Sequence, residues 1–441
     1  MSERKDTWES DMKAQYEYGK QYLTGGVSSV FRVNRFTDLP TYINNANGAY
    51  LYDITGKEYI DFFMGHGSVL LGHKHPEVNE ALLGVLEGGF FSAYDSNMNI
   101  ELAKLITEII PCSERVIFAN SGSEATQLAI RLARGYTGRE KIIRIDGHFH
   151  GVHDYVLSNN LAAYTDENNP GDRLSKVKMF SSGIPKVIEE TMIVMPWNNI
   201  ELFAEIVKKQ GENIAGIIMN AVDYNNGCLL TDKEYLSEIE RISKENGIIF
   251  ILDEVLTGFK TGISCAQGYY GIKPDLCTLA KALSNGVPIS VVTGKKEIME
   301  MPYHPEHRVF NGGTYSGNRL GSAAAIASLK IMKEYNFYEE LFKVSNYFFK
   351  NLQKLFDDKG IIARVPYLGC MFHIYFGIDE PVTNYRQFKN IDWKLAKEFF
   401  KNCIKEGLYF SSDFIVSAAH SIKDIDIALE KMEKVIKKLK K

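Results

Sequence analysis

The sequence has few cysteines, and they do not form a recognisable framework. Six are spread over 441 residues, without a C-x-x-C pair or a dense cluster. This usage is typical of reduced thiols inside a cell and excludes a small disulfide-stabilised scaffold. The first residues, MSERKDTWESDMKAQYEYGK, are polar and charged and lack the apolar core of a secretory signal. The sequence therefore predicts a cytoplasmic protein.

Long hydrophobic runs and an excess of one charge are also missing. No stretch approaches the roughly 18 apolar residues of a membrane span. The formal net charge of -4 predicts no basic surface for nucleic acid or for an anionic membrane. With 45% hydrophobic and 24% charged residues, the composition is that of a globular protein. We expect small molecules as its partners.

Alternating helical and strand patterns fill most of the chain. From about residue 76, helix-length stretches separate the compact apolar runs RVIFAN, KIIRID, AGIIMN, IIFILDE and ISVVTG. Such runs predict a mostly parallel sheet buried on both faces, and hence an α/β fold. A chain of this length also exceeds one compact unit. We expect a large domain over residues 76–329 and a smaller α+β domain built from residues 1–75 and 330–441.

The segment HFHGVHD, residues 148–154, is rich in potential metal ligands. Three imidazoles and a carboxylate within seven residues are able to bind a metal ion and leave a position open for water. Short histidine-rich tracts also occur in ordinary loops, so the spacing alone leaves a metallohydrolase as an open alternative.

The segment FANSGSEATQLAIRLAR predicts a strand, a turn at Ser121, Gly122 and Ser123, and a helix. Free N–H groups at a helix start, next to a glycine and hydroxyl groups, are suited to a phosphate ester. The simpler interpretation is a capping box, because Ser121 and Glu124 have the required spacing.

Two further residues follow short apolar runs. Asp253 ends the run IIFILDE, and the carboxyl ends of strands in open α/β sheets bind ligands. Lys281 follows the run DLCTLA, where partial burial favours an amine that forms a Schiff base. Taken singly, the aspartate is explained by a structural ion pair and the lysine by a surface charge. Together with a phosphate turn they fit pyridoxal 5'-phosphate, with Phe149 placed to stack on its ring.

Several motifs in the expected order resemble those of the class III, fold type I aminotransferases, most closely the branch that contains glutamate-1-semialdehyde 2,1-aminomutase. The resemblance covers the chain from about residue 20 and is carried by LTGGVSSVFR, GHKHPEV, NSGSEAT, ARGYTGREKI, HFHG, LDEVLTGF, LAKALSNGVP, GGTYSGN and AAHSIKDID. It places HFHG in an aminotransferase context, so we expect no metal.

The resemblance implies a role for each matching residue. Lys281 forms the Schiff base and moves the proton, and Asp253 pairs with the pyridinium nitrogen. The other implied cofactor contacts are Gly122 and Ser123 at the phosphate, Phe149 and Val255 on the two ring faces, Asn225 beside the 3'-oxygen, and Thr314 at the phosphate of the neighbouring subunit. Ser29 and Arg32 match the residues that hold the substrate carboxylate. The shared site implies a homodimer.

The substrate side departs from the aminomutase pattern at four places. Asn220 replaces a glutamate at the end of a strand, and His66 replaces a tryptophan. Near the C-terminus, Ser411 or Ser412 stands for a glutamate, and Ser-Gly-Asn-Pro becomes Ser-Gly-Asn-Arg with Arg319. A lost carboxylate and an added arginine favour a more anionic substrate.

These patterns predict an aminotransferase that moves an amino group between a donor and a small carbonyl substrate bearing a carboxylate or a phosphate. The first alternative is the aminomutase itself, and a remote one is a non-catalytic protein of the same fold. The polar segment 155–186 matches the mobile loop that closes over the aminomutase site, and we expect a lid there.

Overall fold

Helices and strands follow each other along the chain, and the structure, a computed structural model, describes residues 7–160 and 172–439. The helices are α1 (Thr7–Gly19), α2 (Met64–Gly67), α3 (Pro76–Glu87), α4 (Asn97–Ile109), α5 (Gly122–Thr137), α6 (Ile200–Gln210), α7 (Lys233–Glu245), α8 (Cys265–Tyr270), α9 (Lys296–Met299), α10 (Arg319–Met332), α11 (Phe337–Asp358), α12 (Trp393–Lys405) and α13 (Ile422–Leu439). The short segment α2 is a left-handed turn, because all four of its residues have positive φ angles.

The strands vary in length from two to six residues. They are β1 (Val33–Asn34), β2 (Leu39–Pro40), β3 (Ile43–Asn47), β4 (Tyr50–Asp53), β5 (Glu58–Asp61), β6 (Arg115–Ala119), β7 (Lys141–Ile145), β8 (Met192–Met195), β9 (Ile214–Met219), β10 (Ile249–Glu254), β11 (Leu276–Leu279), β12 (Ser290–Gly294), β13 (Ala363–Arg364), β14 (Tyr367–Leu368), β15 (Met371–Phe372), β16 (Tyr375–Phe376), β17 (Leu408–Tyr409) and β18 (Phe414–Ile415).

Seven strands form the central sheet, in the order β6-β12-β11-β10-β9-β7-β8. The pairs β11-β10, β10-β9, β9-β7 and β7-β8 are parallel, whereas β12 is antiparallel to both of its neighbours. Every residue of β8, β9, β10, β11 and β12 is buried. The predicted fold with its mostly parallel sheet is therefore confirmed, although β6 at the edge of the sheet is only partly buried.

The register of the sheet brings candidate site residues to one edge. Asp253 on β10 lies opposite Thr278 on β11, and Leu252 lies opposite Met219 on β9. Because these three strands run in the same direction, their carboxyl ends meet at a common edge. The segments that follow them begin at Asn220, Val255 and Ala280, next to one another.

The two ends of the chain meet in a smaller sheet of order β17-β5-β4-β3. A hairpin joins β4 and β5, with Tyr50 opposite Ile60 in this antiparallel pair. β17 comes from the C-terminal region and pairs in parallel with β5, with Leu408 opposite Ile60. The terminal segments therefore share main-chain hydrogen bonds. None of the helices within the described residues is long and apolar enough to cross a bilayer.

A hydrophobic core rich in aromatic rings joins the same two segments. Phe62, fully buried, stacks on Phe348 at 4.9 Å and on Phe410 at 5.1 Å between ring centroids. This core draws its residues from both terminal regions, whereas the core around the central sheet also includes Leu70 and Ile331, outside residues 76–329. The domain boundaries stay a prediction.

The substitution Phe62→Ala is expected to lower the free energy of unfolding by about 3–5 kcal/mol, because it empties a buried site that is enclosed by rings of the C-terminal region. Thermal unfolding followed by circular dichroism measures the effect. Tyr335→Ala, at a fully exposed position, is the control and is expected to leave the midpoint unchanged. Equal midpoints for both variants would contradict the packing argument.

Candidate active site

A cavity of about 320 Å³ lies where the strands of the central sheet end. It is lined by segments that follow β6, β7, β9, β10 and β11. The predicted site residues along its wall are Ser121, Gly122, Ser123, Phe149, Asn225, Asp253, Val255 and Lys281. The cavity therefore contains all of the expected cofactor residues except Thr314.

The turn before α5 is both a helix cap and a set of free donors. Ser121 Oγ accepts from the N–H of Glu124 at 3.2 Å, and the Glu124 carboxylate accepts from the N–H groups of Asn120 and Ser121 at 2.6 and 3.2 Å. The predicted capping box is thus present. The N–H groups of Gly122 and Ser123 have no partner among the described residues. They remain available to an anion in the cavity.

Two glycines let the walls of the cavity approach each other. A Cβ atom on Gly122 would lie 2.8 Å from Val255 Cγ1, and one on Gly151 would lie 2.6 Å from Ser123 Oγ. The N–H of Val152 donates to Ser123 Oγ at 3.1 Å, so the hydroxyl is still able to donate its own hydrogen. A side chain at either glycine would push these walls apart.

Asp253 is a buried carboxylate with three donors. His150 Nδ1 lies 2.7 Å from Oδ2, while Thr278 Oγ1 and the N–H of Val255 donate to Oδ1 at 2.9 and 3.0 Å. Burial lowers the pKa of His150, although the hydrogen bond and charge of Asp253 oppose the shift. A neutral His150 donates its Nδ1 hydrogen to Asp253, so all three contacts supply hydrogens to this carboxylate.

The other two histidines of HFHGVHD have separate partners. His148 packs on Trp197 with 4.5 Å between centroids, and its Nδ1 accepts from the N–H of Asn220 at 3.1 Å. His153 Nε2 lies 3.2 Å from Thr126 Oγ1. In the described part of the chain, no group of three or more histidine, cysteine or acidic side chains is arranged to hold a metal ion.

Arg144, which the sequence analysis did not identify, supports the loop after β7. Its guanidinium is buried and donates to the carbonyls of His148, Val156 and Ser158. Burial lowers the pKa of Arg144 to about 9. The Arg144 side chain therefore holds the loop that carries Phe149 by binding three of its main-chain carbonyl groups. The sequence feature that could have identified Arg144 is the presence of a charged residue within the strand KIIRI.

Lys281 enters the cavity from the end of β11. Its backbone is left-handed, with φ of 48°, a conformation that costs about 1 kcal/mol or more for a residue with a side chain and is retained mainly at functional sites. Burial lowers the pKa of the amine, and the charges of Asp413 and Asp253 oppose the shift. A lysine in this environment loses its proton more readily than a surface lysine.

Asn225 is held by a buried carboxylate that lies behind it. Its N–H donates to Asp223 Oδ1 at 3.0 Å, and the hydroxyl of Tyr385 donates to Asp223 Oδ2 at 2.5 Å. Tyr385 belongs to the C-terminal region, so a contact between distant segments determines the position of Asn225.

The remaining predicted residues lie outside the cavity. Ser29 is half-buried and Arg32 is exposed. The N–H of Arg32 donates to the carbonyl of Ser29 at 2.9 Å, whereas its guanidinium makes no hydrogen bond within the described residues. Thr314 is also exposed, and its carbonyl accepts from the N–H of Ala93 at 3.0 Å. In a single chain these three residues do not reach the cofactor cavity.

Arg319 makes local contacts within the chain. Its guanidinium donates to the carbonyls of Gly88 and Gly89 and lies over the ring of Phe91 at 4.3 Å. Because its guanidinium is bound within the chain, Arg319 no longer supports the prediction of a more anionic substrate. Of the two features behind that prediction, only the lost carboxylate remains.

A buried acidic residue that the sequence analysis missed lies on the same side as the expected substrate. Asp413, 3% exposed, accepts from His66 Nδ1 at 2.8 Å, and Ser412 Oγ lies 3.2 Å from the same nitrogen. Burial alone would raise the pKa of Asp413, but the hydrogen bond from His66 and the charges of Lys281 and Arg35 lower it. A carboxylate is therefore present at Asp413, directly after Ser412, one of the two serines expected in place of the family's glutamate.

Lys260 is a second lysine near the site. It is fully buried, and its amine has no hydrogen-bond partner among the described residues. Burial lowers its pKa to about 7, and the charge of Lys281 acts in the same direction. The motif LTGFK, in which Lys260 lies, did not indicate from the sequence that this side chain is buried.

Comparison with known proteins identifies the family. Residues 33–436 match the model of the class III aminotransferases. The chain is 37% identical to a glutamate-1-semialdehyde 2,1-aminomutase from Methanobrevibacter smithii, over 95% of this chain and 96% of that protein. A protein of the same name from Sulfurisphaera tokodaii is 36% identical over 95% and 98%. The chain belongs to the class III aminotransferases, which are pyridoxal phosphate enzymes.

Solved structures show the same fold. An omega-transaminase from Sphaerobacter thermophilus superposes with a TM-score of 0.90 over 98% of both chains, at 23% identity. A glutamate-1-semialdehyde aminomutase from Pseudomonas aeruginosa gives 0.85 over 98% of this chain and 95% of that one, at 17% identity. At these identities the likeness concerns the fold, which is that of fold type I.

Replacing Lys260, whose amine is buried, is expected to stabilise the protein by an amount that depends on pH. The pKa of Lys260 is about 7 when folded and 10.5 in the reference state, so the folded protein binds fewer protons between these values. The wild-type free energy of unfolding therefore rises over this range. Lys260→Met is expected to be more stable by a few kcal/mol at pH 7, at roughly 1.4 kcal/mol per pKa unit, and to lose this advantage near pH 10.

Chemical denaturation at both pH values measures the difference. Lys354→Met removes an exposed lysine and is expected to show no such pH dependence. An advantage of Lys260→Met that is the same at both pH values would mean that the buried amine is not the cause.

Proposed function

We propose that this enzyme transfers an amino group between an amino donor and a small carbonyl substrate that bears a carboxylate or a phosphate. The observation that carries the proposal is the arrangement around the cavity. The Lys281 amine, the Asp253 carboxylate and the free N–H groups of Gly122 and Ser123 line one space. Few cofactors require an amine, a buried carboxylate and an anion site together, and pyridoxal phosphate is one of them.

The residues of the cavity fit this cofactor. Gly122 and Ser123 would hold the phosphate, and Asp253 would hold the ring nitrogen in its protonated form. Phe149 and Val255 would cover the two faces of the ring, and the closeness of Val255 to Gly122 supports a flat ligand. The list of cofactor residues is completed by Ser121 in the phosphate turn and Asn225 beside the 3'-oxygen.

The chain's own groups then perform the proton transfer. When bound, the cofactor accepts the electrons of the substrate's Cα–H bond. Lys281 would take the proton from Cα and return it to a neighbouring carbon, a task suited to an amine whose pKa is lowered by burial. His150 and Thr278 would keep Asp253 in place through this step, because they occupy its other hydrogen-bonding positions.

Ser29 and Arg32 are proposed to bind the substrate carboxylate. The ring of Phe31, adjacent to Arg32, lies 6.1 Å from Phe149, so this segment passes the mouth of the cavity. An exposed guanidinium without a partner in the described residues is suited to a bidentate carboxylate contact.

The aminomutase reaction is the second candidate. The similarity to proteins named glutamate-1-semialdehyde 2,1-aminomutase over 95% of the chain favours it. The His66–Asp413 pair on the substrate side favours a different substrate in the same catalytic framework. The lid expected over residues 155–186 includes residues 161–171, which lie outside the described part of the chain.

We also propose a homodimer in which Thr314 reaches the neighbouring site. Exposed aromatic side chains occur in the two segments that are linked by the hydrogen bond from Ala93 to Thr314. They are Phe90, Phe91, Tyr94, Tyr303, Phe310 and Tyr315. An apolar surface of this kind is typical of a contact between subunits. The cytoplasmic location stays a prediction.

The absorbance spectrum of the purified protein tests the reaction. We expect a band from the cofactor on Lys281, and we expect an amino donor such as glutamate to bleach it to the amine form. Candidate donors include glutamate-1-semialdehyde and 4,5-diaminovalerate. Bleaching by an ordinary amino acid supports the aminotransferase, whereas a response to these two compounds alone, with 5-aminolevulinate formed, supports the aminomutase. Lys281→Ala is expected to give neither the band nor turnover.

A mixture of two inactive variants tests the shared site. We expect Lys281→Ala and Thr314→Asp to be inactive alone and, after subunit exchange, to recover about one quarter of the wild-type activity. Each mixed dimer would contain one site with both an intact lysine and an intact threonine from its partner. If Thr314 served its own subunit, mixing would restore no activity.

A further inference from the structure

We propose that His66, oriented by Asp413, binds a hydrogen-bond donor of the substrate, an amino or hydroxyl group remote from the carbon that reacts. This inference rests on the proposed aminotransferase function and names the class of substrate. The pair joins residues 347 positions apart in the sequence. No role for it follows from the cofactor chemistry.

The backbone presents His66 beside the cavity. The residues of α2 have φ angles of 46° to 66°, including 58° at His66, so a left-handed turn interrupts the chain after β5. Asp61 holds the start of the turn by accepting from the N–H groups of Phe63 and Met64 at 2.9 and 3.0 Å. Ser68, directly after the turn, lines the cavity.

Neighbouring rings place the imidazole at the mouth of the site. The centroid of Phe31 lies 6.2 Å from that of His66 and 6.1 Å from that of Phe149, which lines the cavity. The His66 side chain is 25% exposed, whereas the Asp413 side chain is 3% exposed. A ligand therefore reaches the ring but not the carboxylate behind it.

The hydrogen bond selects one form of the imidazole. Asp413 is an acceptor, because its hydrogen bond with His66 and the charges of Lys281 and Arg35 favour its ionised form, so the hydrogen between the two side chains belongs to His66 Nδ1. The tautomer with its hydrogen at Nδ1 has its lone pair at Nε2, which has no partner among the described residues. Such a nitrogen accepts a hydrogen bond from an amino or hydroxyl group.

A second histidine–aspartate pair in the same chain provides a control. His73 Nε2 lies 2.8 Å from Asp61 Oδ2, the same separation as in the first pair. Neither His73 nor Asp61 lines the cavity. Replacing His73 alone leaves Asp61 Oδ1 and its hydrogen bonds to the turn in place, so it is expected to affect stability without changing the choice of substrate.

Matched amino donors test the proposal. L-homoserine is compared with L-2-aminobutyrate and L-ornithine with L-norvaline, since each pair differs by one terminal hydroxyl or amino group, and L-glutamate represents a terminal carboxylate. For the wild-type holoenzyme we expect kcat/KM to be about tenfold higher for the polar member of at least one pair. Calorimetric binding of the same compounds to cofactor-loaded Lys281→Ala gives a second readout that needs no turnover.

Three variants test whether the His66–Asp413 pair causes the preference for the polar amino donor. His66→Gly removes the ring, fits the positive φ angle and is expected to abolish the preference. Asp413→Asn allows the amide to donate to Nδ1, which leaves an N–H at Nε2, so we expect the preference to move toward glutamate. His73→Gln is expected to retain the wild-type preference.

Equal values within both pairs, or a preference that survives in His66→Gly, would overturn the proposal. A wild-type preference for glutamate in binding and turnover would do the same. If no donor bleaches the wild-type cofactor, the aminotransferase proposal fails, while calorimetry still decides whether His66 recognises the polar group.

Discussion

The buried charge of Asp253 is the constraint on which the rest of the site depends. A carboxylate that is 2% exposed remains ionised only when donors surround it, and here they come from three places: His150 after β7, Thr278 on β11 and the N–H of Val255. Satisfying this charge therefore holds neighbouring strands in one register. The same register brings the end of β11, and with it Lys281, to the edge of the sheet where β10 also ends.

The groups proposed for catalysis and those proposed for substrate binding come from different parts of the molecule. The groups proposed to hold the cofactor follow the strands of the central sheet, whereas His66 and Asp413 come from the two chain ends that share the smaller sheet. Changes in the terminal segments therefore act on the proposed substrate side and leave the donors of Asp253 in place, although the charge of Asp413 also acts on the Lys281 amine. This separation is a physical reason why a family keeps one chemistry while its substrates vary.

Two residues with left-handed backbones and one buried amine, unpaired within the described residues, lie near the cavity. Lys281 and His66 both have left-handed backbones, and the amine of Lys260 is buried without a partner among the described residues. Each feature costs free energy that the surrounding packing must supply. Their shared location supports a functional rather than a structural origin for the first two. For Lys260, no hydrogen bond within the described residues offsets the cost of burial.

The sequence by itself determined the features that depend on neighbouring residues. Strands and helices, the capping box at Ser121, the hairpin, and the placement of Asp253 and Lys281 at strand ends all follow from local patterns of polarity. Only the tertiary structure decided which distant groups meet. The pairing of His66 with Asp413, the inward turn of Lys260 and the local use of Arg319 depend on contacts between remote segments. Local polarity does not specify such contacts, because burial and partner choice are properties of the folded chain.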